Sequence, residues 1–372
     1  MEKFIYVDNS ATTKINSQVL VKMMPYLTDY YGNASTTYNL GKKSKEAIDE
    51  SRRIIARILK VNPKDIYFTT SGTQADNLAI LGFARANKNR GNHIITSCIE
   101  HKAILNSCKE LEKEGYDVTY LPVDNYGKID ADTLKKEIRK DTILISIMYV
   151  NNEIGTIQNI KELASIAKEN NIVFHTDAVQ AAPHIPLIVD NVDMLSISGH
   201  KFGAPKGIGV LYIKDGISIN NISYGGGQEN GLLPGTENVS NIVGMAEAYR
   251  LTNKDLPKIQ IKERALYNYL LSNLKQIKGF ILNGSESNSI NSVINFSIEN
   301  VDMAKLKLYL EMNGIYLSAG SACNSGSTEL SHVLKAIGSS NSGLRISINY
   351  LNTMYEMNYI LEKIKNCVKL FQ

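Results

Sequence analysis

No run of apolar residues in the 372-residue sequence approaches the length of about 20 needed to cross a bilayer. The opening, residues 1–8, also lacks the basic-then-apolar pattern of a secretory signal, so a cytoplasmic location is expected. Cysteine is sparse: Cys98, Cys108, Cys323 and Cys367 stand far apart, with neither CxxC spacing nor a dense framework. That argues against structural zinc and a disulfide-stapled fold, and it fits a reducing compartment; no metal site is expected. An excess of one charge is missing too, because 41 Lys and Arg stand against 37 Asp and Glu, spread along the chain. Without a basic stripe there is no footprint for direct nucleic-acid binding, and the cluster Lys42, Lys43 and Lys45 opens a charged helical pattern that reads as a solvated face. Low-complexity tracts and internal repeats are absent as well.

What is present is ordinary globular usage, 43% hydrophobic and 21% charged, in a chain longer than one simple core usually organises. From about residue 48 to 213, helical patterns alternate with short runs of β-branched residues at 66–69, 93–96, 118–121, 143–148, 172–175, 194–196 and 209–213. This alternation predicts an α/β fold with a mostly parallel seven-stranded sheet wrapped by helices. Farther on, candidate strands at 292–297 and 344–348 and a last helix at 355–370 suggest a smaller α/β domain, linked through a long helix near 238–272. The expected division is residues 15–255 for the large domain, and 1–14 with 256–372 for the small one.

In open α/β sheets ligands gather beyond the carboxyl ends of strands, and several of these runs end in polar clusters. Ser71, Gly72 and Thr73 follow the run at 66–69 and open a helical pattern at 74–86, which offers free amides and a hydroxyl to a phosphate or simply caps the helix. The spacing is not that of a P-loop. Asp177 closes the run at 172–175, with Gln180 three residues on, and a carboxylate at that depth needs a cation or donors. Ser198, Gly199, His200 and Lys201 make a polar turn after the next run. Pyridoxal phosphate accounts for the set, since it needs a Lys for an imine, an acid at the ring nitrogen and donors for its phosphate.

His101, after the run at 93–96, could stack on a planar cofactor and exchange protons near neutral pH. Asn151, Asn152 and Glu153 supply amide groups at the same rim or form a simple turn. Cys323 lies in a run of small residues, 318–327, which cannot bury an apolar face and so should expose a nucleophilic thiol, whereas Cys98 and Cys108 read as buried and inert. Arg345 is a lone cation in a β-patterned run, suited to clamping a carboxylate or else lying on the solvent face of a strand.

With these residues in place, the chain resembles the cysteine desulfurases of the NifS/IscS type, within the class V aminotransferase group of fold-type I pyridoxal-phosphate enzymes. The resemblance runs nearly end to end, through YVDNSATT, FTTSGTQADNLAI, EHKAIL, ISIMYVNNEIGTIQ, HTDAVQ, SGHKFGAPKGIG, GGGQENGLLPGTEN and SAGSACNSGS. It implies that Lys201 bonds the cofactor, Asp177 pairs with its ring nitrogen, Gln180 and Asn152 approach its ring hydroxyl, and His101 stacks on the ring. Gly72, Thr73, Ser198 and His200 would hold the phosphate, together with Thr236 reaching in from the second subunit of a homodimer whose site lies at the interface. Arg345, with Asn152, would bind the substrate L-cysteine, and Cys323 would accept its sulfur as a persulfide. That sulfur would pass to an iron–sulfur scaffold or a tRNA-thiolation protein.

Four positions depart from the family's pattern: Gln74 for Glu, Asn230 and Leu233 for two Arg residues, and Tyr38 for His. The chain also ends soon after the helix at 355–370, without the longer tail that IscS-type members use for scaffold contact. Two other readings compete with desulfuration. Another class V activity, an aminotransferase or a selenocysteine lyase, would keep Lys201 and Asp177 yet need no attacking thiol, and a non-catalytic paralogue would serve as a partner-binding subunit.

Overall fold

The computed structural model describes residues 4–319 and 330–371. One sheet of seven strands runs in the order Ile66–Thr69, Gly209–Ile213, Met194–Ser198, Val173–Asp177, Thr142–Ser146, His93–Ser97 and Asp117–Leu121. Gly209–Ile213 pairs antiparallel with both neighbours, and every other pair is parallel. Parallel pairing requires long crossovers, and helices supply them; Ile160–Glu169, for example, buries Ile160, Leu163, Ala164 and Ala167 at helical spacing. Covered on both faces, the inner strands are buried at every residue, which is why the sequence shows them as unbroken apolar runs. The edge strand Asp117–Leu121 is buried only at Leu121.

All seven runs form strands, with ends shifted by up to two residues. The pattern at 74–86 is helical from Gly72 to Ala86 with a π-helical turn at Leu78–Gly82. A second sheet pairs Leu344–Ser347, Val293–Ile298 and Phe280–Asn283 antiparallel. Phe280–Asn283 was not expected, because four residues after a long helix give no period to read. Ile5–Tyr6 pairs parallel with Ile315–Tyr316, and Ile5 and Val7 join Tyr267, Leu270, Phe296, Leu310 and Ile360 in an apolar cluster around the second sheet. The helix Val239–Leu274 reaches both regions: Ile242, Met245 and Tyr249 pack with the large sheet, Leu266, Leu270 and Leu274 with the small one. Among the described residues no helix is long and apolar enough to cross a membrane.

Candidate active site

Strands Val173–Asp177 and Met194–Ser198 lie side by side, and beyond their carboxyl ends opens a cavity of about 230 Å³. Eleven of the residues singled out from sequence line it: Ser71, Gly72, Thr73, His101, Asn152, Asp177, Gln180, Ser198, His200, Lys201 and Arg345. They arrive on different segments and meet where parallel strands leave their ends open to a ligand.

Lys201 ends the single turn Gly199–Lys201 that follows Ser198. Its Nζ donates to the carbonyl oxygens of Ser10 at 2.6 Å and Ala11 at 3.0 Å. Gln180 Nε2 donates to the same Ser10 oxygen at 2.8 Å, and His200 Nδ1 lies 3.1 Å from Thr12 Oγ1. The chain's opening segment therefore forms one wall. Ser10 and Ala11 received no role from sequence, and their place in the YVDNSATT motif was the only signal for them. Burial, reinforced by Lys201 and Lys206, pushes the His200 ring down to about 4, so it is uncharged at neutral pH.

Asp177 is buried, and its Oδ1 accepts from the Val179 amide at 2.9 Å. Burial raises its carboxyl, while His101, the Val179 amide and Lys201 pull the other way. His101 caps the helix Lys102–Lys113, its Nδ1 accepting from the Ala103 amide at 3.2 Å, which fixes the ring against the cavity. Burial lowers its proton affinity and Asp177 opposes that shift.

Ser71 caps the helix that Gly72 opens, its Oγ accepting from the Gln74 amide at 3.1 Å. The amides of Gly72 and Thr73, in the first turn, have no intrahelical acceptor. A Cβ on Gly72 would stand 2.8 Å from Val179 Cγ2 and 3.2 Å from Ser198 Cβ, so only glycine lets this turn approach the strand ends so closely.

Arg345 is 1% exposed, which removes the alternative of a solvent-facing strand arginine. Its Nη2 donates to Asp8 Oδ1 at 2.7 Å and its Nη1 to the Asn152 carbonyl at 2.9 Å, while Nε finds no acceptor among the described residues. The turn after Thr142–Ser146 splits its two asparagines. Asn151 Oδ1 closes the turn on the amides of Glu153 and Ile154, and Asn152 faces the cavity.

Thr236 is not among the cavity's lining residues; it lines a separate pocket of about 120 Å³ with Gln74 and Leu233. Cys323 lies outside the described residues. Cys108 is buried and burial pushes its thiol up to about 12, but Cys98 is only partly buried, because it follows the last strand residue at the sheet's rim. Sequence reasoning missed two acids. Asp76 lines the cavity, and Glu100, fully buried, has Oε1 accepting from Ser97 Oγ at 2.6 Å and from the Met148 amide at 2.9 Å. Nothing in an acidic residue on a helical pattern separates Asp76 from a solvated one.

The wall fits pyridoxal phosphate. An amine, a buried carboxylate and a ring that can stack face one cavity, and a glycine turn whose two first amides have no intrahelical acceptor lies against Ser198 at its edge.

Residues 5–360 match the aminotransferase class-V family. The chain is 46% identical over 373 residues to the cysteine desulfurase IscS of Methanosarcina thermophila, with 99% of this chain and 92% of that one covered. Among solved structures, a NifS-like protein matches with a TM-score of 0.94 at 34% identity, covering 99% of this chain and all of the other. SspA, solved in complex with cysteine, matches at 0.84 with 37% identity over 94% of this chain and all of the other. Family, sequence and architecture thus agree over almost the whole length, and the chain belongs to the aminotransferase class-V family.

Proposed function

We propose that the protein is a cysteine desulfurase, a pyridoxal-phosphate enzyme that takes sulfur from L-cysteine, releases L-alanine and leaves a persulfide on Cys323. The observation that carries this reading is the convergence of Lys201, Asp177, His101 and Arg345 on one cavity in a class V chain. When bound, the cofactor supplies an aldehyde that captures amines and a ring that accepts the electron pair left when Cα loses its proton. Lys201 Nζ, oriented by the Ser10 and Ala11 carbonyls, is the amine that holds it and then moves the Cα proton. Asp177 holds the proton on the ring nitrogen. His101 packs on the ring and assists proton transfer, uncharged when it accepts and backed by Asp177 when it carries charge. Gln180 and Asn152 reach the ring hydroxyl. The amides of Gly72 and Thr73 take the phosphate, with Ser198 and His200 beside them.

Arg345 binds the substrate carboxylate, for which its guanidinium must share or exchange the Asp8 carboxylate. The Cys323 thiolate then attacks the substrate sulfur, forming an S–S bond as the S–C bond breaks. A homodimer completes the site, with Thr236 of one copy added to the phosphate donors of the other; in support, Thr236 is exposed and apart from its own chain's cavity. The sulfur passes to an iron–sulfur scaffold or a tRNA-thiolation protein. Residues 15–255 form the large domain, and residues 1–14 with 256–372 form the small one, in keeping with the separate apolar cluster around the second sheet.

Mass spectrometry after incubation with L-cysteine tests the reading: one added sulfur is expected on the peptide bearing Cys323. Cys323→Ala should keep the yellow cofactor and lose sulfide release under reductant. Undiminished turnover in that variant rules out the persulfide route and leaves another class V activity.

A further inference from the structure

The cavity has a second acid that the reaction above does not use. Asp76, on the helix Gly72–Asn77, lines the cavity along with Asp177 and is 1% exposed. Its Oδ1 has no hydrogen-bond partner among the described residues. A basic group beside it is His175, whose Nε2 lies 3.8 Å from that oxygen. That ring is already engaged by two hydroxyls, Ser146 Oγ at 2.9 Å on Nδ1 and Ser196 Oγ at 3.0 Å on Nε2. Burial pushes the imidazole down to about 3, so it offers no cation.

Asp177 and Glu100 both act on Asp76 by charge; the cavity also holds the cations Lys201 and Arg345, which donate to the Ser10 and Ala11 carbonyls and to Asp8 and the Asn152 carbonyl. Glu100 Oε2 is also buried with no partner among the described residues, and burial pushes its carboxyl up to about 8. Asp177 differs from both. It has the Val179 amide, with Lys201 and His101 close enough to favour its charge. Two carboxylates in one buried site do not both ionise when only one is compensated.

We propose that Asp76 keeps its proton and so acts as a positioning residue, a neutral acid whose lack of charge leaves Asp177 as the anion that faces the cofactor ring. Were Asp76 ionised, its repulsion would drive a proton onto Asp177 and weaken that residue's hold on the ring nitrogen. Burial, and next the field of Asp177, hold the Asp76 carboxyl well above the usual carboxylate range; Glu100 adds to this, and the Ser196 hydroxyl opposes it. The inference rests on the pyridoxal-phosphate reading for its consequence, but the proton on Asp76 can be observed without it.

Infrared spectra of the whole protein at neutral pH, with and without added pyridoxal phosphate, supply the test. The carbonyl stretch of a protonated, buried carboxyl should lose intensity in Asp76→Asn and keep it in Asp177→Asn, with Glu100→Gln identifying the share from Glu100. In the yellow holoenzyme, Asp76→Asn should leave the pH midpoint of the cofactor's absorption within about twofold in proton affinity, because one neutral group replaces another. A band intensity that Asp76→Asn leaves unchanged, or a midpoint moved tenfold or more, overturns the proposal. Should the asparagine variant not fold, Asp76→Ser carries the same readings. If the unaltered protein takes up no pyridoxal phosphate, the cofactor reading fails by itself, and the infrared bands still decide where the proton sits.

Discussion

The cavity around Lys201 and the turn that precedes Thr236 are built on opposite plans. In the cavity, side chains from distant segments are buried and bonded across elements: Lys201 and Gln180 to Ser10, Arg345 to Asp8 and Asn152. The turn at Gln228–Gly231 is exposed or half-exposed, with Glu229 and Asn230 at positive φ of 48° and 56°. Such backbone is uncommon for residues other than glycine and is held only by outside contacts. Glu229 supplies them, accepting from Arg52 Nη1 and Nη2 at 2.9 and 2.6 Å and from the Phe68 amide at 2.9 Å. The cavity is thus ordered by a network across many segments, whereas the turn rests on the Glu229–Arg52 pair and on short-range bonds such as Asn221 Nδ2 to the Gly231 carbonyl and the Gly235 amide to Gln228 Oε1, and the two should respond to mutation differently.

The largest effect is expected at Lys201→Ala, which should abolish the yellow absorption and lower desulfuration by at least about 10³-fold, read by spectrophotometry and sulfide release. Next in size, Arg345→Ala leaves Asp8 without its cation and empties a buried site. It should cost on the order of 3–5 kcal/mol in denaturant unfolding and also raise KM for L-cysteine, whereas Arg52→Ala should leave KM nearly unchanged.

Glu100 gives a pH signature. Its folded-state carboxyl is raised from about 4.5 to about 8, so it takes up a proton on folding, and its contribution to stability is full below about 4.5 and lost as pH rises towards 8. Glu100→Gln should flatten that decline by up to a few kcal/mol, since the two hydrogen bonds it accepts both fall on Oε1 and the amide nitrogen can replace the unpartnered Oε2. An unchanged slope between pH 5 and 8 would count against a neutral acid layer beneath the cavity. The smallest effect is expected for Arg52→Ala, which should loosen the turn at a cost of about 1–3 kcal/mol, visible as faster amide exchange at residues 228–231.

How far each region was legible follows from the same contrast. Unbroken β-branched runs identified every strand of the large sheet, because burial on two faces leaves one pattern, and the polar residues at their ends, Asp177, Ser198 and Lys201, were found by position. Ser10 and Ala11 act through backbone carbonyls, which no residue type reveals. Asp76 and Glu100 escaped because acids next to helical patterns look alike whether solvated or buried. Arg345 was ambiguous in a four-residue strand, and its neighbours Asn295 and Ser318 decide its burial only once strand register is known.

The sequence by itself determined the alternation that makes a parallel sheet, the family and the polar residues at the strand ends, since these follow from local hydrophobic period and motif. Only the tertiary structure decided which acids lose water, that Lys201 rests on the Ser10 and Ala11 carbonyls, and that Thr236 stands apart from its own chain's cavity. Burial and partner geometry depend on segments more than a hundred residues apart, and no local pattern encodes the distance between them.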